Sequence, residues 1–364
     1  GGGGVRRWLL VLALVLVAGG VAFGVLRRPA EWTAASAEAL AELQSGIDAL
    51  EKVYHADARA RLSKALELDP SCVAAKVFLL DLLDARTDSE ARKRIVSELR
   101  EARLERLNER EVFLIRYLLA GVDGKNEEAE KILDDYLARN SNDPVALQFR
   151  ANRAFAQGKY DVAQKEYERL LAVAPNYVVA YNQLGYSAMG QGLFGEAERM
   201  LRKYRFIAPD QANPHDSLGE LLLLLGRYDE AEAEFDAALS VRRDFCASYQ
   251  GLALVGQVSG RLDLAEDALA RAESEGGCAP AEVASWRDAL VRWRAATRRD
   301  WRSVVELGPP GTAGEVGACP FVLTQRAFLA LGENERAAAL ENELRKKSVA
   351  GGKTGMAAAP GPCQ

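Results

Sequence analysis

Alanines at 163, 197, 231 and 265 recur every 34 residues, and glycines at 158, 192, 226 and 260 keep the same interval. Bulky residues follow the same beat: Tyr160, Phe194, Tyr228 and Leu262 open each copy, and Tyr167, Leu201, Phe235 and Leu269 follow seven positions later. A fixed period of this length marks a supersecondary unit that cannot bury its apolar face alone and must stack on its neighbours.

Each unit reads as two helices. In "PHDSLGELLLLLGRYDEAEAEFDAAL" apolar residues return at helical spacing, Gly226 interrupts them, and the spacing then resumes. Asn213-Pro214-His215-Asp216 reads as a helix start, with Asn213 at the cap and Pro214 at the first helical position. Asp143-Pro144 gives a similar start one register earlier, and Pro175 and Pro209 mark the ends of second helices.

The pattern resembles the tetratricopeptide repeat family. The residues that carry the resemblance are the small residues of the first helix (Ala151, Gly185, Gly219, Ala253), the alanines of the second, and Pro175 and Pro209. Fainter copies lie at "GIDALEKVYHADARARLSKALELDP", with Gly46, Ala58, Ala65 and Pro70, and at "YLLAGVDGKNEEAEKILDDYL", with Ala129. "LTQRAFLALGENERAAALENELRKK" is a last, divergent hairpin with Ala337, while 73–107 and 281–307 read as helices without the signature. The resemblance implies an all-α fold, a right-handed α-solenoid of helix-turn-helix repeats over residues 37–347, clearest in 144–275.

It also implies where a partner polypeptide would lie. First-helix positions 2, 5, 9 and 12 line a groove in this family. Here they are Val145, Gln148, Asn152 and Phe155, then Val179, Asn182, Tyr186 and Met189. Asn213, Asp216, Glu220 and Leu223 follow, then Ala247, Gln250, Leu254 and Gln257. Family members that grip a C-terminal carboxylate use Lys and Arg at positions 5 and 9, and this chain has none there. The acids at 216 and 220 instead favour a partner with an apolar stripe and a Lys or Arg opposite Glu220, with Tyr186 as anchor. Leu223 and Leu254 read equally well as packing residues.

Two enzyme-like strings dissolve in this context. Gly190-Gln-Gly192-Leu-Phe-Gly195 spells a dinucleotide-binding fingerprint, with Asp210 downstream. That fingerprint needs a preceding strand in a βαβ unit, and here a helix precedes it. Gly192 is the repeat's turn glycine, in register with Gly158, Gly226 and Gly260. His215-Asp216-Ser217 holds the residue types of a hydrolase triad, but successive helical residues diverge by about 100° and cannot form a relay. Glu-rich second helices such as "EAEAEFDAAL" read as solvated faces. No catalytic site, cofactor or metal site is expected.

Net charge is −5, and the Arg-rich stretch "ARKRIVSELREARLERLNER" alternates with Glu, so no nucleic-acid footprint is present. Two histidines and five cysteines (72, 246, 278, 319, 363) show no metal-ligand spacing. Trp8–Leu26 is uncharged between two arginine pairs and reads as a single-pass transmembrane helix over 9–26, after juxtamembrane residues 1–8 and before a linker at 27–36. A cleaved signal peptide is the competing reading. Residues 348–364 read as a disordered tail.

These features predict a membrane-anchored, non-catalytic scaffold for a protein or peptide partner. The order of span then repeats also resembles the C-terminal halves of bacterial membrane Ser/Thr kinases and winged-helix regulators. That resemblance implies, as the alternative, a sensor segment whose effector domain lies upstream. It tips the repeats to the extracytoplasmic, periplasmic side, where Cys278 and Cys319 become candidates for pairing, with five free thiols as the alternative. Cys72 and Cys246 read as packing positions at helix starts.

Overall fold

A side chain on the second helix of a hairpin that is large enough to fill a gap needs a residue on the first helix small enough to leave one, and the chain alternates the two. The computed structural model describes residues 32–340 apart from 85, 86, 276 and 309–318, together with residue 342. The span at 9–26, the segment 1–8 and the tail 348–364 lie outside the described residues. Among those described, all regular structure is helical, and no helix is long and apolar enough to cross a membrane. The chain divides into two compact units between Tyr136 and Leu137.

The first unit holds α1 (Ala37–Glu51), α2 (His55–Leu68), α3 (Val73–Leu82), α4 (Ser89–Arg100), a 3-10 turn (Leu104–Arg106) and α5 (Glu109–Val122). Its boundary falls within α6 (Asn126–Arg139). α1 and α2 form a close hairpin in which a Cβ on Gly46 would stand 2.7 Å from Leu62. The incoming chain is pinned to this unit. Trp32 is buried edge-on to Phe78 under the Arg110 guanidinium. Thr33 donates its amide (2.7 Å) and hydroxyl (2.6 Å) to the buried Glu111 carboxylate. Glu111 also closes a capping box with Asn108 at the start of α5, so one carboxylate satisfies three donors.

The second unit is a run of hairpins. α7 (Pro144–Ala156) pairs with α8 (Tyr160–Val173), α9 (Val179–Gly190) with α10 (Phe194–Ile207), α11 (Ala212–Leu224) with α12 (Tyr228–Val241), and α13 (Cys246–Ser259) with α14 (Leu262–Ser274). Then come α15 (Pro280–Thr297), α16 (Trp301–Glu306), α17 (Cys319–Ala330) and a helical stretch at 334–340 that buries Ala337. The first helix of each hairpin is called A and the second B. Ala163, Ala197, Ala231 and Ala265 are fully buried on B helices. Their small size matters because the backbones nearly touch: a Cβ on Gly256 would lie 2.5 Å from the Ala265 amide nitrogen. The large B residues are equally buried, and Phe235 sits between two glycines, 2.9 Å from a Cβ built on Gly219 and 2.4 Å from one on Gly251. A side chain on either glycine would displace the ring.

Helix starts follow the sequence in one case and depart from it in another. Asp143 caps α7, accepting from the Val145 and Ala146 amides, with Pro144 at the first position. α11, expected to begin at a capping Asn213, begins at Ala212, and no side chain caps it. Asn213 is buried instead, and its amide donates to the Tyr204 hydroxyl at 3.3 Å. Burial beside a B-helix phenol wins over local capping because Asn213 faces the core side of the hairpin.

The hairpins without the signature have substitutes for it. Arg292, 1% exposed, reaches from α15 to Asp288 (2.7 and 3.1 Å). It also reaches the carbonyls of Val304 in α16 and of Leu307 and Gly308 just after it, and the Thr324 hydroxyl of α17. The guanidinium thus caps the orphan carbonyls of α16. The turns show a second substitution. Gly124, Gly158, Gly192, Gly226 and Gly260 all lie at φ between +71 and +79°, the left-handed region the A-to-B turn requires. Val53 (φ +61°) and Arg299 (φ +58°) occupy the corresponding turns before α2 and α16. A β-branched residue is strained there. Replacing Val53→Gly is therefore expected to stabilise the first unit by about 1 kcal/mol, after the backbone entropy of glycine is set against the relieved strain. Urea denaturation checks this, and an unchanged or lower midpoint would remove the strain.

Candidate functional site

Packed against one another along the second unit, α9, α11 and α13 are successive A helices. The seam they share is where the sequence placed its groove. On α11, Asp216 and Glu220 are one turn apart and so lie on one face. The structure brings them together with residues of both neighbouring helices. Tyr186 of α9 donates its hydroxyl to the Glu220 carboxylate and lies 3.3 Å from the Ser217 hydroxyl. Ser248 of α13 donates to Asp216 at 2.6 Å. Asp216 and Ser248 are buried, while Tyr186 and Glu220 are partly exposed at the rim. Asn182, one turn before Tyr186 and one repeat before Asp216, is 5% exposed, and its Oδ1 has no hydrogen-bond partner.

Among the described residues no cation offsets the two carboxylates. Burial, and then the neighbouring Glu220 charge, push the Asp216 carboxyl up to about 7, against the opposing hydrogen bond from Ser248. Burial likewise raises Glu220, partly offset by the Tyr186 hydroxyl. Burial and then Glu220 hold the Tyr186 phenol well above its ordinary range, so it stays a neutral donor. The groups facing Asp216 are Glu220 on its own helix, Tyr186 of α9 and Ser248 of α13. Titratable side chains of α10 and α12 that reach α11 meet other residues: Tyr204 meets Asn213, and Glu234 takes His215 at 2.8 Å.

The remaining groove positions divide. Gln148 and Leu254 are half-buried, Gln250 is exposed, and Gln257 is buried. Asn152, exposed, accepts from the Tyr167 hydroxyl at 2.7 Å and so braces its own hairpin. Phe155 stands edge-on to Tyr160, and Met189 and Leu223 pack onto the apolar core. Tyr186 is engaged with Glu220 rather than standing free as an anchor. Ser217 and Ser248 were not among the sequence candidates. Their signal was faint: small polar residues in an otherwise apolar register.

The two enzyme-like strings resolve as turn and helix. Gly192 turns α9 into α10, and a Cβ on Gly190 would strike the Tyr160 ring at 2.5 Å, so packing explains that glycine. His215, Asp216 and Ser217 point to three different partners, Glu234, Ser248 and Tyr186. Among the described residues no cluster of His, Cys, Asp or Glu is arranged to hold a metal ion.

Cysteine pairing differs from expectation. Cys278 is joined to Cys246, not to Cys319, with Cα atoms 5.3 Å apart. Cys246 opens α13 and Cys278 follows α14, so the bond closes the base of that hairpin across 32 residues. The sequence hid this because Cys246 lies inside a regular helix register. Cys72 is buried and free.

Residues 149–214 and 214–245 match two models of the tetratricopeptide repeat. Residues 149–245 therefore carry tetratricopeptide repeats. No curated protein matches its sequence. Among solved structures it is similar to yeast Tom70, with 16% identity over 88% of this chain and 66% of that one, TM-score 0.50. It is also similar to a tetratricopeptide repeat protein from Parabacteroides merdae ATCC 43184 (17%, 69% and 98%, TM-score 0.45). Pseudomonas aeruginosa pilF gives 16%, 65% and 91%, and a TM-score of 0.35. At these identities the likeness to Tom70 concerns the helical architecture alone.

The buried carboxylate is expected to make the stability of these repeats depend on pH. Asp216 titrates higher in the folded than in the unfolded chain, so folding takes up a proton between the ordinary carboxylate range and about 7. Its stabilising form is complete below that window and is lost as pH rises through it. Asp216→Asn is expected to be more stable than the parent at pH 8 by on the order of 2 kcal/mol, with little difference at pH 4. Denaturant titrations at both pH values test this; parallel pH profiles would show that Asp216 is ionised without cost.

Proposed function

We propose that the chain is a membrane-anchored scaffold whose A-helix seam, from Gln148 to Gln257, holds a segment of another polypeptide. The observation that carries this reading is the seam itself. Tetratricopeptide repeats support a protein-interaction role, and here helix A carries polar and acidic groups at positions where apolar residues would stack at lower cost. Gln250 is exposed, the Asn182 acceptor is unpartnered, and Asp216 and Glu220 are held without a cation. Burying such groups costs stability, and a scaffold that only needed to stack would place apolar residues there.

Anchoring draws on the uncharged run 9–26, and the side of the membrane draws on the Cys246–Cys278 bond. Disulfides persist in oxidising compartments, which favours an extracytoplasmic repeat region. On intact cells, a membrane-impermeant maleimide is expected to label Cys246 and Cys278 only after reduction. Labelling that needs lysis but no reductant would place the repeats in the cytoplasm.

A photo-crosslinker tests the groove directly. Incorporated at the groove positions Gln148 of α7 or Gln250 of α13, it is expected to trap one and the same polypeptide. At Lys165 of α8 or Ala233 of α12, both exposed on B helices, it is expected to trap none. Equal trapping from B-helix positions would move the binding face elsewhere.

A further inference from the structure

Two carboxylates in one buried face are expensive unless something positive meets them. In the free chain the expense is met by hydroxyls: Tyr186 serves Glu220 and Ser248 serves Asp216. Hydroxyl groups supply one donor each and no charge. The cluster is also incomplete in a particular way, because Asn182 adds a buried acceptor with no donor. Its place is fixed by register: it shares a face of α9 with Tyr186 and precedes Asp216 by one repeat. The seam therefore offers three acceptor groups, two of them anionic, from adjacent A helices, with Glu220 half-buried and Asp216 buried.

We infer that Asn182, Asp216 and Glu220 form a pocket for a primary ammonium group, supplied by a lysine of the bound polypeptide. A primary ammonium carries three donors, no acceptor and one positive charge on a compact head. That matches three acceptors with two carboxylates among them. The flat guanidinium of arginine pairs best with one carboxylate edge-on, and here the acids are one helical turn apart and are approached from the rim. The inference rests on the groove reading for the source of the lysine, but the pocket is a property of the chain and can be probed without the partner. Entry of an ammonium favours the ionised carboxylates, so occupancy is expected to rise with pH through the range where Asp216 loses its proton.

The probe is Nα-acetyl-lysine N-methylamide, added to the full chain in nanodiscs with ionic strength held constant by NaCl. At 50 mM and pH 8 it is expected to raise Tm by about 2–4 °C, as millimolar binding to the folded state requires. The norleucine counterpart, of the same shape without the ammonium, is expected to leave Tm unchanged. The shift should shrink at pH 5.5 and vanish in Asp216→Asn and Glu220→Gln, with circular dichroism confirming that both variants fold. Tyr186→Phe, which removes a competing donor, should keep or enlarge it.

Equal shifts from the lysine and norleucine derivatives, or an undiminished shift in both carboxylate variants, would overturn the pocket. A shift from leucine N-methylamide that matches the lysine derivative would overturn the lysine assignment in favour of a chain terminus. Loss of these shifts with seam crosslinks intact would remove the pocket alone. Intact shifts with crosslinks lost would remove the groove reading alone.

Discussion

Everything in the second unit depends on how closely helix A and helix B can cross. Phe235 fills one such close crossing, wedged between Gly219 of its own hairpin and Gly251 of the next. One ring thus locks two repeats. The fit leaves no room for a Cβ on either side, so the large and small positions are bound to each other at a distance of one helix and one repeat. Stability of such an array is the sum of hairpins and the interfaces between neighbours, and Phe235 belongs to both terms. Ion pairs follow the same beat on the surface, Glu198 with Arg227 and Glu232 with Arg261. Lying half-buried at the surface, they add little by comparison.

The close crossing also creates the seam. When B helices fill the gaps with large apolar side chains, A helices approach one another directly, and positions facing that approach are removed from water whatever their polarity. Asp216, Ser248 and Asn182 are buried for this reason rather than by any local preference. The result is a strip of polar groups inside a region stabilised chiefly by apolar contact. Their mutual hydrogen bonds link three A helices, Tyr186 of α9 through α11 to Ser248 of α13. Opening the α11–α12 hairpin would therefore break bonds to both of its neighbours.

Where the small-large pairing is missing, the chain substitutes single polar hubs. Glu111 gathers the incoming chain at Thr33 and the cap of α5, and Arg292 gathers three helices after residue 280. A buried charge with every donor or acceptor engaged fixes geometry strongly, because losing one partner leaves the rest unsatisfied. The Cys246–Cys278 bond acts at the junction between the regular repeats and this last section.

Sequence by itself determined the period, the hairpins and their turns. Gly192 and its sisters need the left-handed backbone, and Ala231 and its sisters need the close crossing, so both had to recur at fixed intervals. It determined too that Gly190-Gln-Gly192-Leu-Phe-Gly195 is a turn, since a helix precedes it. Tertiary structure alone decided which polar groups meet. Asn213 left its expected cap for Tyr204, Cys278 found Cys246 rather than Cys319, and Tyr186 turned to Glu220. Each of those contacts joins residues at least nine positions apart through distances set by helix packing. Val53 and Arg299 show the converse, turns whose left-handed backbone the sequence did not announce. A local rule reads what the backbone requires of one residue, whereas a buried partner is chosen by the helices that bring it near.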